Sequence, residues 1–204
     1  MNSPLPDFSF ELAAMARGVL CVAGVDEVGR GPLAGPVTAA AVILDTACIP
    51  VGLNDSKKLT HARRVALSAQ LHAVAQVSIA HASVAEIDDL NILRASHLAM
   101  IRAISGLPRA PDHLLIDGNQ LPRGLRIPAE TIVKGDARSL SIAAASIVAK
   151  VARDHLMVIL AQQHPGYGWE TNAGYGTAAH LKALLNLGVT PHHRRSFAPV
   201  HNML

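Results

Sequence analysis

The sequence predicts an α/β fold: a mixed sheet flanked by helices, with a small helical extension at its C-terminal end. Three observations carry this. Short apolar runs rich in β-branched residues, at 19–23, 37–44, 77–82, 113–117 and 129–133, alternate with segments of helical period. Acidic residues (Asp26, Glu27, Asp117 and Asp136) stand at the ends of these core runs, the usual place for a site in an α/β sheet. Half of the 204 residues are hydrophobic but only 3% are aromatic, so Ala, Val, Ile and Leu must build the core. A chain of this length fits one domain with a sizeable core.

Taken in order, an N-terminal segment (1–18) holds a short amphipathic helix at 8–17, followed by a catalytic-sized core (19–163). The strand at 19–23 leads into Asp26 and Glu27 and then Gly29-Arg30-Gly31-Pro32. The run 37–44 is expected to pair with it as a hairpin. A polar loop, Asn54-Asp55-Ser56-Lys57-Lys58, precedes Thr60, which caps a helix burying Leu67, Leu71 and Val74. The two lysines suit phosphate or a solvated loop. After a strand at 77–82, Ser83 and Glu86 have capping-box spacing. Leu90, Leu93, Met100, Ile101 and Ile104 then predict a helix with a core face, ended by Gly106 and Pro108. Asn91 reads as functional or as a helix-start hydrogen bond.

The strand 113–117 is apolar throughout until Asp117, so burial on both faces near the sheet centre is expected. Gly118 and Asn119 leave a turn as the alternative role for its end. The strand at 129–133 ends in Lys134-Gly135-Asp136. A long helix is predicted from about 140 to 163, capped by Asp136 or Ser139, with Ala144, Ile147, Val148, Val151, Val158 and Ile159 as its buried stripe. Asp154 lies inside that helix, roughly 27 Å from Asp136 at the standard rise, and is excluded from the same site. The extension (164–204) carries Tyr167, Trp169, Tyr175, a short helix with Leu181, Leu184 and Leu185, and His192-His193-Arg194-Arg195. Its aromatic and basic residues suit nucleic acid, a packed helical cap, or both.

Composition narrows the classes further. The net charge is +3 with eleven histidines uncounted, and the pI is about 9.1, compatible with a polyanionic partner. Cys21 and Cys48 are too few for a disulfide framework or a zinc site and read as reduced, buried thiols. Pro4, Pro6 and Asp7 stand where a secretory signal would be basic and then apolar, so a cytoplasmic protein is expected. Pro32 and Pro36 interrupt the longest apolar region, 31–44, which is too short to span a bilayer. No membrane partner is expected.

Side by side, Asp26 and Glu27 read equally well as a solvated strand end or as part of a cation site, since buried carboxylates repel one another. Strand alternation turns them to opposite faces, unless the glycines bend the backbone and let Glu27 reach a shared ion. Oxygen-only donors favour Mg²⁺ or Mn²⁺. No Cys–His cluster, activated serine or Walker-type loop competes with them.

With these residues assembled, the chain resembles the bacterial ribonuclease HII family from about 19 to 200. The resemblance rests on Val25-Asp26-Glu27-Val28-Gly29-Arg30-Gly31-Pro32-Leu33-Ala34-Gly35-Pro36-Val37, Asp55-Ser56-Lys57-Lys58-Leu59 and Ile116-Asp117-Gly118. It continues through Lys134-Gly135-Asp136, the string from Ser141 to Val151, Gly174-Tyr175-Gly176-Thr177 and His193-Arg194-Arg195-Ser196-Phe197. It implies an RNase H-like fold that hydrolyses the RNA strand of RNA/DNA hybrids. It also implies cleavage 5′ to single ribonucleotides in duplex DNA, leaving 3′-hydroxyl and 5′-phosphate ends. The implied catalytic metal ligands are Asp26, Glu27, Asp117 and Asp136, with Mg²⁺ or Mn²⁺ as cofactor. Gly29, Arg30 and Gly31 are implied to sense the 2′-hydroxyl, and Tyr175 to pack on the sugar. Lys57, Lys58, Arg194 and Arg195 are further expected substrate contacts, and a monomer is expected. Ala173 departs from the family, which commonly has lysine there. The competing classes are a non-catalytic hybrid-binding module, which predicts loss of an acid, and another RNase H-like nuclease such as a Holliday-junction resolvase. The latter does not need the Gly-Arg-Gly element or the Tyr175 loop.

Overall fold

The computed structural model describes residues 5–204; the first four residues of the N-terminal segment lie outside the described residues. A five-stranded sheet forms the middle layer, in the order β3-β2-β1-β4-β5. The strands are β1 (Val22–Val28), β2 (Val37–Ile43), β3 (Gln76–Ala82), β4 (His113–Asp117) and β5 (Ala129–Ile132). β2 is antiparallel to both β1 and β3, while β4 and β5 run parallel to β1. The mixed sheet and the β1–β2 hairpin are as the sequence predicts.

Helices cover both faces. On one lie α3 (Val84–Leu90) and α4 (Ile92–Ser105), burying Ala95, Ala99, Met100 and Ala103 against Val25, Ala39, Ala41 and Ile116. On the other lie α2 (His61–Val74) and the long α5 (Leu140–Gln163), packed on Ala40 and Val42. A short α1 (Ser9–Ala16) docks beside them. Its Glu11, fully buried, accepts from Ser139 Oγ at 2.6 Å and from the Ser141 amide at 2.9 Å at the start of α5. That is a carboxylate placed where a helix N-terminus favours one.

Helix α5 approaches β1 unusually closely. Residues 141–149 are all buried. A Cβ on Gly24 of β1 would fall inside the backbone of Ser141 and Ile142. Small residues on both partners permit this, as Ala143, Ala144 and Ala145 suggest.

The C-terminal extension folds over the second half of α5. It contains α6 (Trp169–Asn172), α7 (Ala178–Leu187) and α8 (Ala198–His201), with Leu33, Ala34, Met157, Trp169, Leu184 and Val200 in one apolar cluster.

Several expectations need correction. β1 begins three residues later than predicted and runs through both acids, so Asp26 and Glu27 are inside the strand and not beyond its end. The predicted single helix after Ser83 is two, broken at Asn91, whose φ is 71° and whose side chain accepts from the amides of Leu93 and Arg94. The helix-start role of Asn91 is therefore the observed one. The break also leaves Leu90, Leu93 and Ile101 only half-buried. Val74, Val158, Ile159 and Leu185 are exposed. Along α5 the buried side rotates once the helix outruns the sheet, so Arg153, Met157 and Leu160 face inward in place of Val158 and Ile159. Cys48 is exposed; only Cys21 is buried. Ser139, whose hydroxyl accepts from the Ile142 amide, caps α5, and Asp136 is left free for another role.

The β1–α5 contact generates a stability prediction. Gly24→Ala forces backbone apart where no side chain can yield, and overpacking of this kind costs roughly 1–3 kcal/mol or more. Urea denaturation should show a lowered midpoint equivalent to that loss, with unchanged slope, whereas Gly118→Ala, where a Cβ meets nothing within 4 Å, should lose only what its positive φ costs.

Candidate active site

The acids come together because of register. Val25 of β1 pairs with Ile116 of β4, so Asp26 and Asp117 are the next pair along adjacent parallel strands, on the α5 side. Glu27 alternates to the α4 side, where it lines a cleft of about 220 Å³ with Arg30, Ser96, His97, Met100 and Asp117. Asp136 arrives in the 3-10 turn Gly135–Ala137 after β5, entered through Lys134 in a left-handed conformation (φ 56°). The Gly135 amide donates to Asp117 Oδ1 at 2.6 Å and ties that turn to the tip of β4.

These carboxylates are withdrawn from water and close to one another. Asp26 and Asp136 are both buried. Desolvation, then the charges of Glu27, Asp117 and Asp136, hold Asp26 well above the usual carboxylate range. Burial also raises Glu27, against the pull of Arg30, whose Nη1 lies 3.1 Å from Glu27 Oε1. Asp136 is pushed up to about 6 by desolvation, then by Asp55 and Asp117, with Lys57 opposing. Lys57 Nζ stands 3.8 Å from Asp136 Oδ2. Burial lowers the Lys57 pKa, but Asp136, Asp55, Asp26 and Asp117 together outweigh it and leave the ammonium raised.

An acidic, oxygen-only donor set with uncompensated repulsion fits a hard divalent cation. Among the described residues no three His, Cys, Asp or Glu side chains form a closed ligand cage. A cation held here would keep much of its shell for water or phosphate oxygen, as Mg²⁺ typically does.

The expected substrate residues divide. Tyr175 is exposed, with its ring Cε1 3.3 Å from where a Gly31 Cβ would stand. The Gly29-Arg30-Gly31 loop and the tyrosine therefore border one narrow slot, and the Arg30–Glu27 contact ties that loop to the acids. Lys57 faces Asp136, and Lys58 is exposed. Arg195 is also exposed; its amide donates to Asp88 Oδ2 of α3. Arg194 is a correction: it is fully buried and cannot touch a phosphate. Its Nε donates to Gly35 O at 2.9 Å, its Nη1 to Arg30 O at 2.9 Å and its Nη2 to Gly29 O at 2.6 Å.

Four residues have site contacts the sequence reading gave no role. Asp55 acts on Asp136. The Ser146 hydroxyl of α5 meets Ser56 Oγ at 2.9 Å and acts to lower the Asp26 pKa against its burial. Arg153, also fully buried, donates to Pro36 O (2.9 Å), Ala173 O (2.9 Å) and Ala34 O (3.1 Å). The available signal was its place in the period Ser146, Ala149, Arg153, Met157, Leu160 on α5.

The Tyr175 loop is braced from below. His180 Nδ1 donates to Tyr175 O at 2.9 Å, and its Nε2 accepts from Trp169 Nε1 and from His193 Nε2, each at 3.1 Å. The Thr190 amide donates to His193 Nδ1. Both imidazoles must be neutral for this pattern, and burial lowers both, His193 to about 4.

The repulsion predicts an inverted mutational effect. Asp136 binds its proton more tightly folded (about 6) than unfolded, where it titrates near 3.9. Its ionisation therefore removes stability as pH rises from about 4 to 6, and the loss is complete above that. In metal-free protein at pH 7.5, Asp136→Asn should be more stable than wild type by on the order of 1–2 kcal/mol, allowing for screening at the site rim. The gain should vanish below pH 4; a destabilised Asn variant at pH 7.5 would contradict it.

Comparison with known proteins identifies the family. The family model described as Ribonuclease HII matches residues 23–200. A ribonuclease HII of Cereibacter sphaeroides (strain ATCC 17029) is 70% identical over all 204 residues, spanning 96% of that protein. The crystal structure of ribonuclease H2 from Pyrococcus horikoshii OT3 has a TM-score of 0.76 at 26% identity, covering 90% of this chain and 97% of that one. The structure of Bst-RNase HIII in complex with Mn²⁺ shares the fold, with a TM-score of 0.73 at 20% identity, covering 94% and 71%. With its mixed sheet, its helical extension and this match along its whole length, the chain belongs to the ribonuclease HII family and is a ribonuclease H.

Proposed function

We propose that this ribonuclease H hydrolyses the RNA strand of RNA/DNA hybrids and cuts 5′ to single ribonucleotides in duplex DNA, leaving 3′-hydroxyl and 5′-phosphate ends. The observation that carries the proposal is the close approach of the exposed Tyr175 ring to Gly31, in the loop whose Arg30 pairs with the acid Glu27. At a chosen position only the 2′-hydroxyl separates ribose from deoxyribose. Glycines 29 and 31 carry no Cβ, so their backbone can approach a sugar closely. Arg30 is exposed on its outer side and can hold the adjacent phosphate, while the Tyr175 ring offers a flat surface to the next sugar.

Asp26, Glu27, Asp117 and Asp136 would hold Mg²⁺ or Mn²⁺, and one structural neighbour was determined with Mn²⁺. Such ions, when bound, would supply positive charge that acidifies water and stabilises the leaving oxygen. The protein's own part is to orient. Gly135 N fixes Asp117, Ser146 steadies Asp26, and Lys57 partly balances Asp136 until substrate and cation arrive. Residues 19–163 are assigned as the catalytic core and 164–204 as the extension that presents Tyr175, with α1 bracing the start of α5. The chain is proposed to act as a cytoplasmic monomer. No helix among the described residues is long and apolar enough to cross a membrane.

Duplexes carrying one ribonucleotide, a long hybrid strand, or DNA only, assayed with Mg²⁺, Mn²⁺ or EDTA, test this directly. The single ribonucleotide should be cut on its 5′ side, the all-DNA duplex left intact, and EDTA should abolish cleavage. Asp26→Asn and Asp117→Asn should lower kcat by at least 100-fold with the fold retained. Asp154→Asn, whose carboxylate pairs with Lys150 at 2.6 Å, should change stability at most. Tyr175→Ala should weaken single-ribonucleotide cleavage more than hybrid cleavage. Cutting of all-DNA duplex at a comparable rate would remove the 2′-hydroxyl from the mechanism.

A further inference from the structure

Two arginines, both fully buried, lie directly beneath the slot, and among the described residues neither has a carboxylate within ion-pair distance. A buried cation without a counter-ion is costly unless its donors are all used. Here each guanidinium spends its fork on three backbone carbonyls. Arg194 gathers Gly29, Arg30 and Gly35 from the loop between β1 and β2. Arg153 gathers Ala34 and Pro36 from the same loop, and Ala173 from the loop that presents Tyr175. Desolvation lowers Arg153 to about 10 and Arg194 to about 9, yet both remain cationic near neutral pH. Direct backbone bonds complete the junction: Leu33 N donates to Gly174 O at 2.8 Å and Arg194 N to Leu33 O at 2.8 Å.

The space is fully used. A Cβ on Gly29 would strike the Arg153 side chain, and one on Gly35 would strike Met157 Sδ. A Cβ on Gly174 would reach within 2.6 Å of Ala34 O.

We infer that Arg153 and Arg194 are positioning residues for substrate selection, fixing the distance between the Gly29-Arg30-Gly31 backbone and the Tyr175 ring. This rests on the reading that the slot takes a ribose at an RNA–DNA junction. Neither arginine touches substrate or the acids. A loosened strut should therefore cost recognition of an isolated ribonucleotide, where one sugar carries all the discrimination. A continuous RNA strand presents many registers and should lose less.

Lysine keeps the charge but not the three-pronged fork. Arg153→Lys and Arg194→Lys are to be compared with wild type on the single-ribonucleotide duplex and on a long hybrid, with folding checked by circular dichroism and melting. The expected result is a loss of at least tenfold in kcat/KM on the single ribonucleotide, mainly through KM, and under threefold on the hybrid. The Arg153→Lys/Tyr175→Ala double variant should be no worse than Tyr175→Ala alone on the single ribonucleotide, because the strut acts through that ring. Gly174→Ala leaves both arginines in place and wedges the two loops apart, so it should reproduce the selective loss. Equal losses on both substrates, additive losses in the double variant, or a wedge variant with unchanged selectivity would overturn the inference. So would the unfolding of all three single variants, which would make the struts supports of the whole domain. If wild type itself shows no preference for a ribose in DNA, the proposed function fails and not the strut, provided the lysine variants still change KM on the hybrid.

Discussion

Helix α5 can lie on the central strand only because Gly24 has no side chain where the helix backbone crosses it, and most of the site hangs on that contact. The helix brings Ser146 close to Asp26 in its second turn and Arg153 to the loops two turns later. A change of half an ångström in its height over β1 would move both. Its start is held independently, by Ser139 from its own chain end and by the buried Glu11 of α1. The N-terminal segment is thus coupled to the site through the helix it anchors, although it contributes no residue to the acids.

The site is built against its own stability. Three adjacent elements aim carboxylates into a partly dehydrated space, and burial and the neighbouring charges raise the proton affinity of Asp26 and Asp136. What opposes the repulsion is local: one backbone amide on each of Asp117 and Asp26, the Ser146 hydroxyl near Asp26, Arg30 beside Glu27 and the exposed ammonium of Lys57 near Asp136. None of these is a full counter-charge within a closed ion pair except Arg30–Glu27. Electrostatic preorganisation of this kind stores unfavourable energy in the empty protein and releases it when positive charge binds.

Much of this was legible in the sequence for reasons that can be named. The strand 113–117 is apolar on both faces because α4 and α5 sandwich it, so its pattern, length and terminal acid were plain. The long helix was bounded correctly because Ser139 caps it and the apolar period runs unbroken to Gln163. Its buried face was misjudged beyond Val151, since periodicity cannot tell that a helix leaves one partner and meets another. The β1 start was misplaced because residues 19–20 are β-favouring yet fall outside the sheet, and Leu20 is exposed. Asn91 was ambiguous for a different reason: a positive φ joins two helices whose apolar residues keep nearly the same period across the break.

Arg194 shows where residue type misleads most. In sequence it belongs to a basic run, His192-His193-Arg194-Arg195, and a basic run reads as a phosphate surface. In the fold the run is divided. His193 stays neutral inside the Trp169–His180 network, Arg194 points into the loop carbonyls, and only Arg195 faces solvent. The carbonyl groups of a loop rich in glycine and proline explain the division. Residues 29–36 form no ladder of their own, so their buried oxygens need donors from elsewhere. A guanidinium supplies several donors in one rigid plane and remains charged while doing so. The result is two electrostatic halves: carboxylates on β1, β4 and the turn after β5, and buried cations under the slot beside Tyr175. Under the proposed function, a phosphodiester with a sugar on each side and a cation at its acidic end would be complementary to both.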